Sequence, residues 1–391
     1  MIRKHKKLTS ILTALVVVTN FMLPVTSAKA VEGNAPISAD SKVTKEDVNE
    51  NQTENTEGST KEKSTIQILA TTDSHGKFKD YDYALNKVDV GGMTQVAAVV
   101  KEEREKNPNT LVIDNGDTIQ GNYNHIFLKD DYLAENTDPM ILALKTIGYD
   151  IYNLGNHEFN FGMKTLNTII SQAEEGDNLT VLCGNLYKDG KRVYKPYKVK
   201  EVAGVRVAII GVVTPNIVNW DAENLKGYET TNPTEEVTKI IKEIKDKNEA
   251  DIFIVSAHMG IDSEYGRGDS ATEIANANPE VSVIVAGHSH QSHEEVEVNG
   301  VLITQPKNLG KEVSKIELEV EKDADKVSVK NKKASLIKFD KNSKADVELT
   351  EALKKYDEAA LNDGKTKIGE LVGEDLASPN EVKGVCQSYV T

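Results

Sequence analysis

Two cysteines in 391 residues are too few for a disulfide framework. Cys183 lies in the apolar stretch Leu179-Thr180-Val181-Leu182-Cys183, which reads as a buried strand, and Cys386 sits almost at the C-terminus. No disulfide is expected, so the fold must rest on a hydrophobic core. Positive charge is also short: 47 Lys and Arg against 62 Asp and Glu leave a formal net charge of -15. That balance excludes binding a nucleic acid polymer through a broad basic face. A small phosphate ester stays accessible if metal cations supply local positive charge. Long apolar runs are scarce as well. The one from Leu8 to Leu23 follows Arg3, Lys4, His5, Lys6 and Lys7, is diluted by Thr9, Ser10, Thr13, Thr19 and Asn20, and meets Pro24. Ala28-Lys29-Ala30 then gives a small-residue cleavage pattern. Residues 1–30 therefore read as a secretory signal peptide, with a mature chain that is extracellular or at the cell surface and has no transmembrane segment.

From Val31 to Ser64 there is no aromatic residue and only scattered aliphatics, the composition of a disordered linker. Folded sequence is expected from Thr65, where β-branched runs alternate with amphipathic segments as in α/β domains. The runs are Ile66 to Ala70, Thr110 to Ile113, Asp150 to Asn153, Val205 to Gly211, Asp251 to Ser256 and Val281 to Ala286. Asn232 and Pro233 predict a helix start, with Val237, Ile240, Ile241 and Ile244 forming its buried stripe. Met93, Val96, Ala97 and Val100 form a second stripe. Val313 to Val320 and Val327 to Phe339 read as an edge hairpin, and Asp346 to Leu361 as a helix.

Five polar clusters directly follow these apolar runs: Thr72-Asp73-Ser74-His75, Asn115-Gly116-Asp117, Gly155-Asn156-His157-Glu158, Ala257-His258-Met259-Gly260 and Gly287-His288-Ser289-His290. In layered α/β folds, ligands bind beyond the carboxyl ends of the strands, so these residues should meet at one rim. Carboxylates, a neutral amide oxygen and several imidazoles suit Mn, Zn, Fe or Co. Seven candidates, Asp73, His75, Asp117, Asn156, His258, His288 and His290, suit two divalent ions sharing one carboxylate. Such a pair lowers the pKa of a shared water, whose hydroxide attacks phosphorus while the ions clamp the phosphoryl oxygens. His157 can face the bound phosphate and donate a proton to the leaving group, so Asn156 and His157 are also the substrate-binding candidates.

Asn115-Gly116-Asp117-Thr118-Ile119-Gln120-Gly121, Gly155-Asn156-His157-Glu158-Phe159 and Gly211-Val212-Val213-Thr214-Pro215 give the stretch from about Ile66 to Leu376 a family likeness. It resembles the calcineurin-like metallophosphoesterase superfamily and, within it, the 5'-nucleotidase and 2',3'-cyclic-nucleotide 2'-phosphodiesterase/3'-nucleotidase family. The resemblance implies an α/β fold with a four-layer α/β/β/α sandwich over residues 65–340. Residues 341–391 would then hold an interdomain helix and the incomplete start of a C-terminal nucleotide-binding domain. It implies one metal held by Asp73, His75, Asp117 and His290, and another held by Asp117, Asn156, His258 and His288. In the 5'-nucleotidase branch the signature continues to an Asp that would orient His157; here it is Asn160, which hydrogen-bonds the ring without adding charge. That departure, with Gly162-Met163 and Ile217-Val218-Asn219-Trp220-Asp221, resembles the cyclic-phosphodiesterase branch. The expectation is a monomer acting on 2',3'-cyclic nucleotides and 3'-nucleotides. Two alternatives stay open: hydrolysis of 5'-nucleotides or sugar-linked diphosphates, and a non-catalytic binding scaffold. His125 and His293 read as polar-loop residues, and Trp220 as a buried packing residue.

Overall fold

The computed structural model describes residues 61–367 and 369, apart from 177, 267 and 325. The expected signal peptide, most of the expected linker, Cys386 and the segment beyond 369 lie outside the described residues.

Two six-stranded sheets stack face to face. The first contains β1 (Glu62–Thr71), β2 (Thr110–Asp114), β3 (Ile151–Asn153), β4 (Thr180–Leu182) and two later strands. The second contains β5 (Tyr197–Val202), β6 (Val205–Val213), β7 (Ile252–His258), β8 (Val281–Val285), β9 (His293–Val298) and β10 (Val301–Gln305). The hairpin β11 (Glu312–Asp323) and β12 (Lys326–Lys338) returns to the first sheet, giving the orders β12-β11-β1-β2-β3-β4 and β9-β10-β8-β7-β6-β5. Strands β1 to β4 run parallel to one another, as do β6, β7, β8 and β10.

The period-2 alternation of the strands assigns their side chains to layers. Ile66, Ile68 and Ala70 face Val207, Ile209, Ile254 and Val283 in the core between the sheets. The opposite faces meet helices. On the second sheet, Ala208, Ile210 and Val212 pack on α5 (Pro233–Asp246) and α6 (Ala271–Ala277). On the first, Leu69, Val112 and Val181 pack on α1 (Met93–Lys106), α2 (Pro139–Ile147) and α3 (Gly162–Glu174). The result is the expected four-layer α/β/β/α sandwich. Between α3 and α5 stands the short α4 (Ile217–Trp220). The start of α5 follows its sequence: Asn232 accepts the Glu235 amide at 3.2 Å and Pro233 fills the first turn.

Three expectations need correction. The folded chain begins before Thr65, because Glu62, Lys63 and Ser64 pair with Lys322, Glu321 and Val320 of β11, with opposite charges facing each other. The helix expected from Asp346 to Leu361 is two helices, α7 (Val347–Ala352) and α8 (Lys354–Asp363), joined at Leu353. Leu349, Leu353, Tyr356 and Ala360 bury into the same core as α1 and α2. His293 lies in β9, opposite Gln305, instead of in a loop.

One buried charge gives a test of the fold. Asp114, at the end of β2, accepts hydrogen bonds from the hydroxyls of Thr71 and Thr118, yet its burial pushes its carboxyl up to about 7. Between the unfolded value near 4 and about 7, the native state holds a proton that the unfolded chain has lost, so stability falls as pH rises through that window. Asp114→Asn is expected to remove about 2–3 kcal/mol of the stability difference between pH 5 and pH 8, read by urea unfolding at the two pH values.

Candidate metal centre

Parallel pairing puts the C-terminal ends of β1, β2, β3, β7 and β8 on one rim, and the sheets are tied together there. Asn115, just past β2, donates to the Ala257 carbonyl at 3.2 Å and accepts from the Ser256 hydroxyl at 2.7 Å. Asn153 adds a bond to the Val212 carbonyl at 3.0 Å. The backbone also has to pass very close. A methyl group at Gly155 would collide with Asp117 Oδ1 and come within 2.8 Å of His258 Cε1, which explains the glycine.

All seven metal-ligand candidates converge, in two groups. Asp73, His75 and His290 offer donor atoms within 4.8 Å of one another, and so do Asp117, His258 and His288. The Asn156 amide oxygen lies 3.1 Å from His258 Nε2. Asp117 Oδ2 stands between the groups, 3.1 Å from His258 Nε2 and 4.0 Å from His75 Nε2. Ser74 turns away and packs its hydroxyl against the Met93 sulfur.

The imidazoles are oriented by their outer nitrogens. His258 Nδ1–H donates to the Asn115 carbonyl at 2.6 Å, and His75 Nδ1–H to the Gln120 side-chain oxygen at 3.0 Å, which turns both Nε2 atoms inward. Five of the seven residues occupy the left-handed backbone region: Asp73 (φ 54°), His75 (45°), Asp117 (54°), His288 (64°) and His290 (53°). For non-glycine residues such conformations are costly and concentrate where function over-determines the backbone.

The donor set fits divalent cations. Asp73 Oδ1 is buried and accepts no hydrogen bond, although it lies 3.3 Å from His290 Nε2 and 3.9 Å from His258 Nε2. His75 Nε2 and His290 Nε2 approach to 2.9 Å. Burial opposes a charge on His258, but Asp117 and Asp73 outweigh it and hold the imidazolium up at about 10. Burial likewise opposes ionisation of Asp117, yet its histidine neighbours, His258 foremost, keep the carboxyl well below the usual carboxylate range. A cation can take the place of that proton.

His157 is half-buried at the edge of the cluster. Its main-chain N–H donates to Asp117 Oδ1 at 2.7 Å, and its ring meets that of His75 edge-on at 5.4 Å. Its Nδ1 hydrogen-bonds Asn160 Oδ1 at 2.7 Å, and Asn160 Nδ2 donates to Asp221 Oδ2 at 3.0 Å. The charge that residue 160 lacks therefore stands one hydrogen bond further out.

Several neighbours were not legible as site residues. Glu158 braces the loops that carry Asp117 and Asn156 by accepting their backbone amides. Glu264 places a carboxylate oxygen 3.2 Å from His288 Nε2. Trp220, expected in the core, is 42% exposed and stacks on His288, because the short α4 sets it on the rim. His125 lies in a 3-10 turn beside Tyr123, outside both donor groups. Tyr81 and Tyr83 pack against each other, and Tyr83 also donates to Asp357.

Residues 66–292 match the family described as calcineurin-like phosphoesterase. The trifunctional nucleotide phosphoesterase protein YfkN of Bacillus subtilis is 32% identical over 304 residues, 69% of this chain and 20% of that protein. The 2',3'-cyclic-nucleotide 2'-phosphodiesterase/3'-nucleotidase of Haemophilus influenzae is 33% identical over 243 residues, 58% of this chain and 36% of that protein. The chain thus spans between a fifth and little more than a third of the length of these curated relatives. The crystal structure of the calcineurin-like phosphoesterase YfkN from Bacillus subtilis superposes with a TM-score of 0.73 at 29% identity, covering 78% of this chain and all of that one. With its family match extending over more than half of its length, the chain belongs to the calcineurin-like phosphoesterase family.

Proposed function

We propose that this chain is a secreted, dinuclear-metal phosphoesterase that hydrolyses 2',3'-cyclic nucleotides and 3'-nucleotides. The observation that carries the reading is Asp117, a single carboxylate set between two groups of donors. In this reading Asp73, His75, Asp117 and His290 hold one ion, and Asp117, Asn156, His258 and His288 the other. Two divalent ions held there would supply Lewis acidity to the phosphoryl oxygens and would lower the pKa of a shared water. The chain's own residues do the rest. Asp117 Oδ1 pins the His157 backbone, so the ring keeps its place beside the donors. Asn160, itself held by Asp221, accepts from His157 Nδ1–H, so that in the imidazolium form Nε2–H is free to hydrogen-bond the phosphoryl or leaving oxygen and to pass its proton to the latter, leaving the neutral ring. Secretion rests on the Arg3 to Ala30 pattern, and N-terminal sequencing of protein from the culture medium should start at Val31.

Chelator-stripped protein reloaded with Mn or Zn is the direct test, comparing 2',3'-cyclic AMP, 3'-AMP, 5'-AMP and bis-p-nitrophenyl phosphate. The cyclic and 3' substrates are expected to lead. A lead for 5'-AMP would support the second reading, 5'-nucleotide hydrolysis, which is favoured by the Asp221 carboxylate behind Asn160. No metal uptake and no hydrolysis would leave a binding scaffold. His157→Gln is expected to lower kcat on 3'-AMP by about 10²–10³-fold. The loss should be smaller on the aryl diester, whose leaving group needs no proton, and the metal content should stay unchanged by elemental analysis.

A further inference from the structure

We propose that Trp220 and Tyr265 form a stacking surface on the rim of the donor cluster for a planar aromatic substituent of the phosphoester, a nucleobase or an aryl ring. The inference rests on the phosphoesterase reading and assigns the side chains that would hold the aromatic part of its substrate.

Trp220 is the only tryptophan in the chain, and the fold leaves it 42% exposed; Tyr265 beside it is 54% exposed. Large aromatic rings bury more apolar surface than other side chains, so leaving two of them exposed and adjacent calls for a ligand. Their position selects which one. One face of the indole stacks on His288, with centroids 5.5 Å apart and planes 23° apart. Tyr265 meets the indole nearly perpendicularly at 4.9 Å and lies 6.1 Å from His288. These three separations set the Trp220, Tyr265 and His288 rings together in one cluster, with the indole and the Tyr265 ring both partly open to solvent. His288 is itself in one of the two donor groups. The stacking surface therefore adjoins the donor cluster through His288.

Both rings are held in place. Trp220 closes α4, and the next residue, Asp221, accepts from Asn160 and from Asn224, whose amide also donates to the Phe159 and Asn160 carbonyls at 3.0 Å. The loop that carries Tyr265 is gathered by the buried Asp269, which accepts the Tyr265 amide at 2.8 Å, the Gly266 amide at 2.9 Å and the Ser263 hydroxyl at 2.6 Å. Rings fixed before binding lose little freedom when a flat group stacks on them. Such stacking tolerates any base, because every base has a π-face.

Because the chain has one tryptophan, its fluorescence reports this surface alone. In this chain reloaded with Zn, adenosine is expected to quench it saturably and ribose 5-phosphate to leave it unchanged. Trp220→Ala and Tyr265→Ala should each raise KM for bis-p-nitrophenyl phosphate about 5- to 100-fold more than KM for glycerol 2-phosphate, and Trp220→Phe should restore most of the difference. An equal rise in both KM values would assign Trp220 to holding the His288 ring and overturn the proposal. Hydrolysis of nucleotides without adenosine quenching would also overturn it, while leaving the phosphoesterase reading intact. Adenosine quenching without hydrolysis of any ester would support the surface and sink that reading.

Discussion

Asp117→Ala is expected to abolish phosphoester hydrolysis and to empty both ion positions together. The carboxylate is placed to serve both donor groups, and its second oxygen fixes the His157 backbone, so one truncation touches three parts of the site. Loss of a single preorganised electrostatic group in such a site commonly costs 10²–10³-fold. Loss of a shared ligand should exceed that, at about 10³-fold or more on bis-p-nitrophenyl phosphate. Elemental analysis should fall from two ions per chain towards none. By contrast, Asp73→Asn should spare the ion at Asp117, His258 and His288, since Asp73 belongs to the other group. If the Asp117 variant kept both ions, the carboxylate would not be shared, and the two-ion assignment would have to be rebuilt around Asp73.

How much of this was legible beforehand follows from which interactions are local. The strand-end clusters could be read because a parallel strand puts its C-terminal residues on one rim whatever the order of strands. Asp73, Asp117, Asn156, His258 and His288 thus converge although the sequence says nothing of the sheet order β12-β11-β1-β2-β3-β4. The α5 start was legible for the same reason, since Asn232 and Pro233 act within one turn. Misreadings arose where a distant partner decides. Glu62 to Ser64 have the composition of a linker, and only their pairing with β11 in the sheet makes them a strand. Trp220 has the hydropathy of a core residue, and a four-residue helix on the rim overrides it. Tyr265, Glu264 and Asp269 lie in a short loop without periodicity, so nothing local marked them before His288 and Trp220 were found beside them.

Glu158 combines a local motif with a distant consequence, and its removal is expected to give the largest loss of stability. Its buried carboxylate accepts four backbone amides: Gly155 at 2.7 Å and Asp117 at 2.8 Å on one oxygen, Thr118 at 2.7 Å and Ile119 at 3.3 Å on the other. Those amides belong to the two loops that carry Asp117 and Asn156. Glu158→Ala leaves them without acceptors, and a buried unsatisfied donor costs about 1–3 kcal/mol. A total of roughly 4 kcal/mol or more is expected, read as a fall in the urea midpoint at unchanged m. Glu158→Gln should recover only part, because its amide nitrogen would face two donors where the carboxylate offered a second oxygen. Metal affinity should fall in both variants although neither removes a candidate ligand, since the loops lose the brace that sets their spacing. If Glu158→Ala unfolded within about 1 kcal/mol of the unmodified chain, the loops would have to be held by the sheet ends and the Asn115 bonds alone.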